Sequence, residues 1–216
     1  MLIIPELNSL HYGDNLNIMR QWKGGFVQAV YADPPFNSKR QYNQLYEIDA
    51  ANKGTRSASL KAFDDTWSWG PDAQERVAKL TADKKSPYYR VFNGLYLLLG
   101  GCDMMAYLSY MGERLIEVKR LLTPTGSVYL HCDQSASHLL RALMDGIFGA
   151  AHFRAAIIWK RHNAHNDKLY GTIHDTILYY SYGDRTIRDE VRVPLSLDRI
   201  EKGYRYSDEH GKYTRG

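Results

Sequence analysis

Apolar positions along the chain change their spacing several times, and each change marks an element. Over residues 103–122, Met104, Leu108, Met111, Leu115, Val118 and Leu122 recur at steps of three and four, with Glu113, Glu117 and Lys119 off the stripe. That period predicts an amphipathic helix whose plain role is core. A second such helix is predicted over 135–148, closed by Gly149. Near the start, Asp14 or Asn15 is placed to cap a helix through Ile18, Met19 and Trp22, stopped by Gly24-Gly25. Short apolar runs at 26–32, 127–130, 153–159 and 176–182 read as strands, and Thr123-Pro124-Thr125-Gly126 reads as a turn. Residues 37–87 are polar, with one short helix predicted over 72–80. A loop of that length inside a compact domain is usually functional or mobile. After about Arg185 the periodicity fades. Strands alternating with helices predict an α/β fold, and there is no internal repeat or low-complexity tract.

Composition narrows the class. The chain has 216 residues, 44% hydrophobic and 24% charged, which is ordinary for a globular protein of one domain or one plus a piece. No run approaches the length of a spanning helix, and Met1-Leu2-Ile3-Ile4-Pro5 lacks the basic start of a secretory signal, so a cytoplasmic protein without membrane partners is expected. Cys102 and Cys132 form neither a disulfide framework nor a zinc site. The formal charge of +4 permits a nucleic-acid partner without requiring one.

The most informative residues are Asp33-Pro34-Pro35-Phe36, at the C-terminal end of the strand over 26–32, where α/β sheets place their ligand sites. An exocyclic amino group is a poor nucleophile because its lone pair is delocalised into the ring. The Asp33 carboxylate and the Pro34 carbonyl can each accept one of its N–H bonds, holding the nitrogen closer to tetrahedral so that it can attack an electrophilic methyl. Proline fixes its own φ and keeps the preceding residue extended, so both acceptors are aimed with little entropy left to lose. Phe36 offers a flat face for stacking a base. The plainer alternative is a strand-ending turn with an apolar plug.

The order of Tyr12-Gly13-Asp14-Asn15, Asp33-Pro34-Pro35-Phe36-Asn37, Val128-Tyr129-Leu130-His131-Cys132-Asp133, Ile157-Ile158-Trp159-Lys160-Arg161 and His174-Asp175-Thr176-Ile177-Leu178 resembles the permuted amino-group DNA methyltransferases, including the modification subunits of type III restriction systems. The resemblance covers nearly the whole chain. It implies a Rossmann-like methyltransferase sheet, with Asp33, Pro34, Pro35 and Phe36 as the catalytic motif and S-adenosylmethionine as methyl donor. It also implies double-stranded DNA as substrate, with the target base flipped out, and a restriction subunit or a second copy of the chain as partner. Asp at position 33 favours adenine N6 over cytosine N4 by the same resemblance. In the permuted order a Phe-x-Gly-x-Gly cofactor loop comes last, and this chain has none. The expectation is therefore an N-terminal half of the fold. Residues 1–185 would be the catalytic part with an active-site loop over 37–87, and residues 186–216 the start of a target-recognition region.

Other candidates have two readings each. Asp14 and Asn15 either contact the adenosine part of the donor or simply cap the next helix, and both can hold. Asp133, ending the strand with His131 and Cys132, is expected beside Asp33 and the donor if the two strands are parallel. Cys132 is not needed as a nucleophile, since direct methyl transfer has no covalent intermediate. His162, His165 and His174 with Asp167 and Asp175 fit no standard zinc spacing, so no metal is expected. Lys39, Arg40, Lys160, Arg161 and Lys168 are candidate phosphate contacts, or solvated surface charge. Two further readings compete with a DNA methyltransferase. One is an RNA guanine-N2 methyltransferase, which carries the same tetrapeptide but needs a glycine loop upstream where there is too little room. The other is a DNA-binding fragment without activity.

Overall fold

The computed structural model describes residues 2–35, 41–45, 59–64, 67–161, 173–184, 206–209 and 211–213; of these, 41–45, 59–64, 207–208 and 211–213 are described by their backbone alone. In chain order the elements are α1 (Asn15–Met19), β1 (Val27–Ala32), β2 (Gln41–Leu45), β3 (Ser59–Asp64), α2 (Pro71–Leu80), α3 (Tyr89–Leu99), α4 (Asp103–Leu121), β4 (Leu122–Cys132), α5 (Ser137–Phe148), β5 (Phe153–Lys160), β6 (His174–Ser181), β7 (Tyr206–Asp208) and β8 (Gly211–Tyr213). They fall into two compact units, residues 1–186 and residues 187–216. None of the described helices is long and apolar enough to cross a membrane.

The first unit is α/β, built on a four-stranded mixed sheet of order β1-β4-β6-β5. β1 runs parallel to β4, with Ala32 opposite Leu130, while β6 runs antiparallel to both β4 and β5. The strand ends that follow Ala32 and Cys132 therefore lie at the same edge, and β6 brings His174 and Asp175 to that edge from the opposite direction. Side chains alternate across a strand. On one face Val128, Leu130, Cys132, Leu178 and Tyr180 are at most 3% exposed and join a core with Met105, Leu108, Met111 and Leu115 of α4 and Leu140, Leu143, Met144 and Ile147 of α5. On the other face Tyr31, Tyr129 and Tyr179 form a row across three strands, with the rings of Tyr129 and Tyr179 stacked at 4.5 Å.

Helix α4 is buried more widely than its apolar stripe predicts. Tyr107, Ser109 and Arg114 are also sealed, because α1, α2, α3 and α5 pack around it as well as β4. Helix α5 ends as expected at Gly149, whose φ of 97° belongs to glycine. Other elements depart from expectation. Helix α1 stops at Met19, short of Trp22. Arg120 donates to the Met19 and Trp22 carbonyls at 2.8 Å, and Trp22 is drawn into a bridge with Ile3. The expected turn at 123–126 lies inside β4, where the pairing with β1 skips from Leu122 to Ser127. The antiparallel pair β2 and β3 falls within a stretch read as loop. Helix α3, not predicted, packs through Phe92 and Leu95 while Leu97 and Leu98 stay exposed.

Candidate active site

Asp33 follows the last residue of β1, with Pro34 and Pro35 half-buried behind it and its own side chain 55% exposed. The parallel pairing with β4 sets His131 beside it, so that His131 Nδ1 approaches Asp33 Oδ1 to 3.4 Å. The same ring nitrogen lies 3.2 Å from the Tyr31 hydroxyl. The other, Nε2, lies 3.2 Å from Oδ2 of Asp175 on β6, a carboxylate only 6% exposed. Arg161, just past β5, donates from its guanidinium to Asp175 Oδ1 at 3.4 Å. Four adjacent stretches thus supply one chain of contacts: Asp33 to His131 to Asp175 to Arg161. The Tyr31 phenol is pushed up by partial desolvation, with the Asp33 carboxylate adding to it, so Tyr31 remains an O–H donor.

Asp133 lies two residues beyond His131 but does a different job. Its Oδ1 accepts from Ser135 N at 3.1 Å, Ser135 Oγ at 2.7 Å and Ala136 N at 3.3 Å, holding the turn into α5. Between them, Cys132 faces the core and donates to the Thr176 carbonyl at 3.2 Å. Burial, with Asp133 and Asp175 adding to it, pushes its thiol up to about 12. A thiol so held is no nucleophile near neutral pH, and its side chain belongs to the core and not to the face that carries His131.

Asp14 and Asn15 form a second centre. Gly13, with φ of 136°, turns the chain, and Asp14 Oδ1 caps α1 by accepting from Leu16 N at 2.9 Å and Asn17 N at 3.1 Å. Arg114 of α4, its side chain 8% exposed, donates to Asp14 Oδ2 at 2.6 Å and to Asn15 Oδ1 at 2.8 Å. Its guanidinium lies 3.2 Å from the centroid of the Tyr110 ring. Burial pulls this guanidinium down, while Tyr110 and Asp14 support its charge. No described hydrogen bond or ion pair joins this centre to Asp33.

Of the candidate phosphate contacts, Lys160 is exposed at the end of β5, and the Arg161 side chain is 49% exposed while holding Asp175. Phe36, Lys39, Arg40 and Lys168 lie outside the described residues, as do His162, His165 and Asp167. Among the described residues no group of three His, Cys, Asp or Glu gathers as metal ligands. Sequence reasoning missed Arg114 and Tyr31 altogether and gave Asp175 no role beside His131. Only a prediction that β6 inserts next to β4 would have brought Asp175 to His131.

Comparison with known proteins agrees with the family resemblance. The type III restriction-modification enzyme StyLTI Mod subunit of Salmonella typhimurium is 25% identical over 204 residues, covering 89% of this chain and 26% of that protein. The EcoP15I Mod subunit of Escherichia coli is 21% identical over 195 residues, covering 88% and 27%. This chain spans about a quarter of the length of these relatives. Among solved structures, the PvuII cytosine-N4-specific DNA methyltransferase matches with a TM-score of 0.45 and 10% identity, covering 84% of this chain and 51% of that one. A family model described as DNA methylase matches residues 27–215. The chain, with its Asp-Pro-Pro-Phe motif inside that match, belongs to the DNA methylase family.

Proposed function

We propose that the chain carries the catalytic part of a type III Mod-like methyltransferase that moves a methyl group from S-adenosylmethionine to the N6 amino group of adenine in double-stranded DNA. The observation that carries this reading is Asp33-Pro34-Pro35 at the C-terminal end of β1, with Asp33 half-exposed toward solvent and 3.4 Å from His131 of the parallel neighbour. Asp33 and the Pro34 carbonyl take the two amino protons as hydrogen bonds, and Phe36 stacks on the flipped base. Asp14, Asn15, Asp33 and Asp133 would hold the donor, which supplies an electrophilic methyl on a sulfonium. The residues present suit such a group. Asn15 is exposed and its amide N–H2 has no described partner, while the solvent-facing carboxylate of Asp33 is matched to a cation. Lys39, Arg40, Lys160, Arg161 and Lys168 are the proposed phosphate contacts. A restriction subunit, or a second copy, is the proposed protein partner, and the cell interior its proposed place.

The test is incorporation of labelled methyl groups by the full-length protein into DNA and into RNA, followed by identification of the modified nucleoside. N6-methyladenine in DNA is the expected product. Modified RNA with unmodified DNA, or modified cytosine alone, would overturn the reading.

A further inference from the structure

Methylation of an amino group releases a proton, and the described residues around Asp33 show where it can go. His131 has its two ring nitrogens on two different carboxylates: Nε2 at 3.2 Å from Asp175 Oδ2, and Nδ1 at 3.4 Å from Asp33 Oδ1. A carboxylate can only accept, and Asp175 has Arg161 on its other oxygen, so the pairing calls for the ring proton on Nε2. In the neutral ring Nδ1 is then the acceptor, filled by the Tyr31 O–H at 3.2 Å. That leaves Asp33 Oδ1 and Nδ1 facing each other as two acceptors. One proton placed between them converts the clash into a bond, and the resulting imidazolium lies between two carboxylates. The same logic stabilises the imidazolium of a Ser-His-Asp triad, where a buried aspartate fixes the tautomer.

We propose that His131, oriented by Asp175 and Arg161, is a positioning residue for Asp33 that takes over the proton which Asp33 receives from the amino group. The inference rests on the methyl-transfer reading given above. The steps balance. The nitrogen lone pair makes the new N–C bond, the C–S bond of the sulfonium breaks with its electrons kept by sulfur, and the N–H proton leaves with its bonding pair staying on nitrogen. Asp33 passes that proton to Nδ1, Tyr31 O–H turns away, and the ring later loses the proton to water. Among the described residues, the charged and titratable groups facing the ring include Tyr31 and Asp33 beside Nδ1 and Asp175 beside Nε2, with Arg161 behind Asp175.

The decisive variant is Asp175→Asn. Arg161 donates to one oxygen of residue 175, so the amide keeps its oxygen there and turns its N–H2 toward His131. That forces the ring proton onto Nδ1, and the acceptor is lost. In 15N spectra of the imidazoles, the wild-type ring of His131 is expected as the Nε2–H tautomer and the Asp175→Asn ring as the Nδ1–H tautomer. In the full-length enzyme, Asp175→Asn and His131→Asn are each expected to lower kcat about a hundredfold, with donor KM and DNA affinity held. A wild-type Nδ1–H tautomer, a tautomer unchanged by Asp175→Asn, or losses shared equally by kcat and binding would each overturn the proposal. A wild-type enzyme that methylates no nucleic acid would instead overturn the functional reading and the proton's role with it, while the tautomer result would still decide how the ring is held.

Discussion

Tyr179 and Tyr180 are adjacent on one strand and live in different worlds. Tyr180 is fully buried against Phe148 and Phe153, its hydroxyl donating to Asp145 at 2.6 Å, and burial with Asp145 pushes its phenol far up. Tyr179 lies on the opposite face, stacked on Tyr129, two positions along β4 from His131. The same division runs through β4, where Val128, Leu130 and Cys132 are sealed under helices while Tyr129 and His131 point the other way. A strand's period of two lets every second residue serve the core and the rest serve the site, with neither group constraining the other's chemistry. The cost is intolerance of slippage, since a shift of one residue would exchange the two sets.

The division predicts effects that separate cleanly. The largest is on the face that carries the candidate site: Asp33→Ala should reduce methyl transfer by about a thousandfold or more while DNA binding and the unfolding midpoint stay near wild type, because Asp33 is 55% exposed and, in the proposed function, acts on the amino group. Gel-shift titration beside single-turnover kinetics reads both, and equal loss of binding would break the comparison. On the core face, Leu130→Ala should cost about 2–5 kcal/mol in urea unfolding, since its side chain is 0% exposed, with kcat of the folded fraction held. Tyr180→Phe should cost about 0.5–1.5 kcal/mol by removing the hydroxyl's hydrogen bond to Asp145, which keeps Arg141 as a donor.

The smallest effect is on pH dependence. The Cys132 thiol rises from 9.0 to about 12 on folding, so the folded state holds its proton where the unfolded state has lost it. Stability from this group is complete below pH 9.0 and is lost as pH rises toward 12. The loss is about 1.4 kcal/mol one pH unit above the unfolded value. Stability measured from pH 8 to 10 with Cys132 replaced by alanine should lack this decline, and alkylation of the native protein should mark Cys132 only as it unfolds.

What the sequence revealed follows the same line. α4 and α5 were readable because each buries an apolar stripe, and β1, β5 and β6 because short apolar runs sit between turn signals. α3 was not, since its sequence is apolar nearly all round yet only Phe92 and Leu95 are buried, so no period stands out. β2 and β3 lie in a polar tract where composition reads as loop. The place of Asp33 beside His131 was legible because an apolar strand leads to each and the two strands are parallel, whereas the local contacts of Asp133 with Ser135 and Ala136 were not. The grip of Arg114 on Asp14, 100 residues away, and of Asp175 on His131, 44 residues away, depends on tertiary pairing that local pattern does not encode.

The position of β6 has a consequence in time. It is made after β5 yet occupies the place beside β4, so a growing chain exposes one open edge of β4 until residues 174–181 have emerged and inserted. During that interval β5, already synthesised, is the nearest wrong partner for the open edge. His131 meanwhile waits without Asp175. Among the described strands of the sheet, β6 is the one that completes the contacts of His131, and a ribosome-bound chain stalled before residue 174 should hold a formed β4 and α5 but a His131 ring without its Asp175 partner.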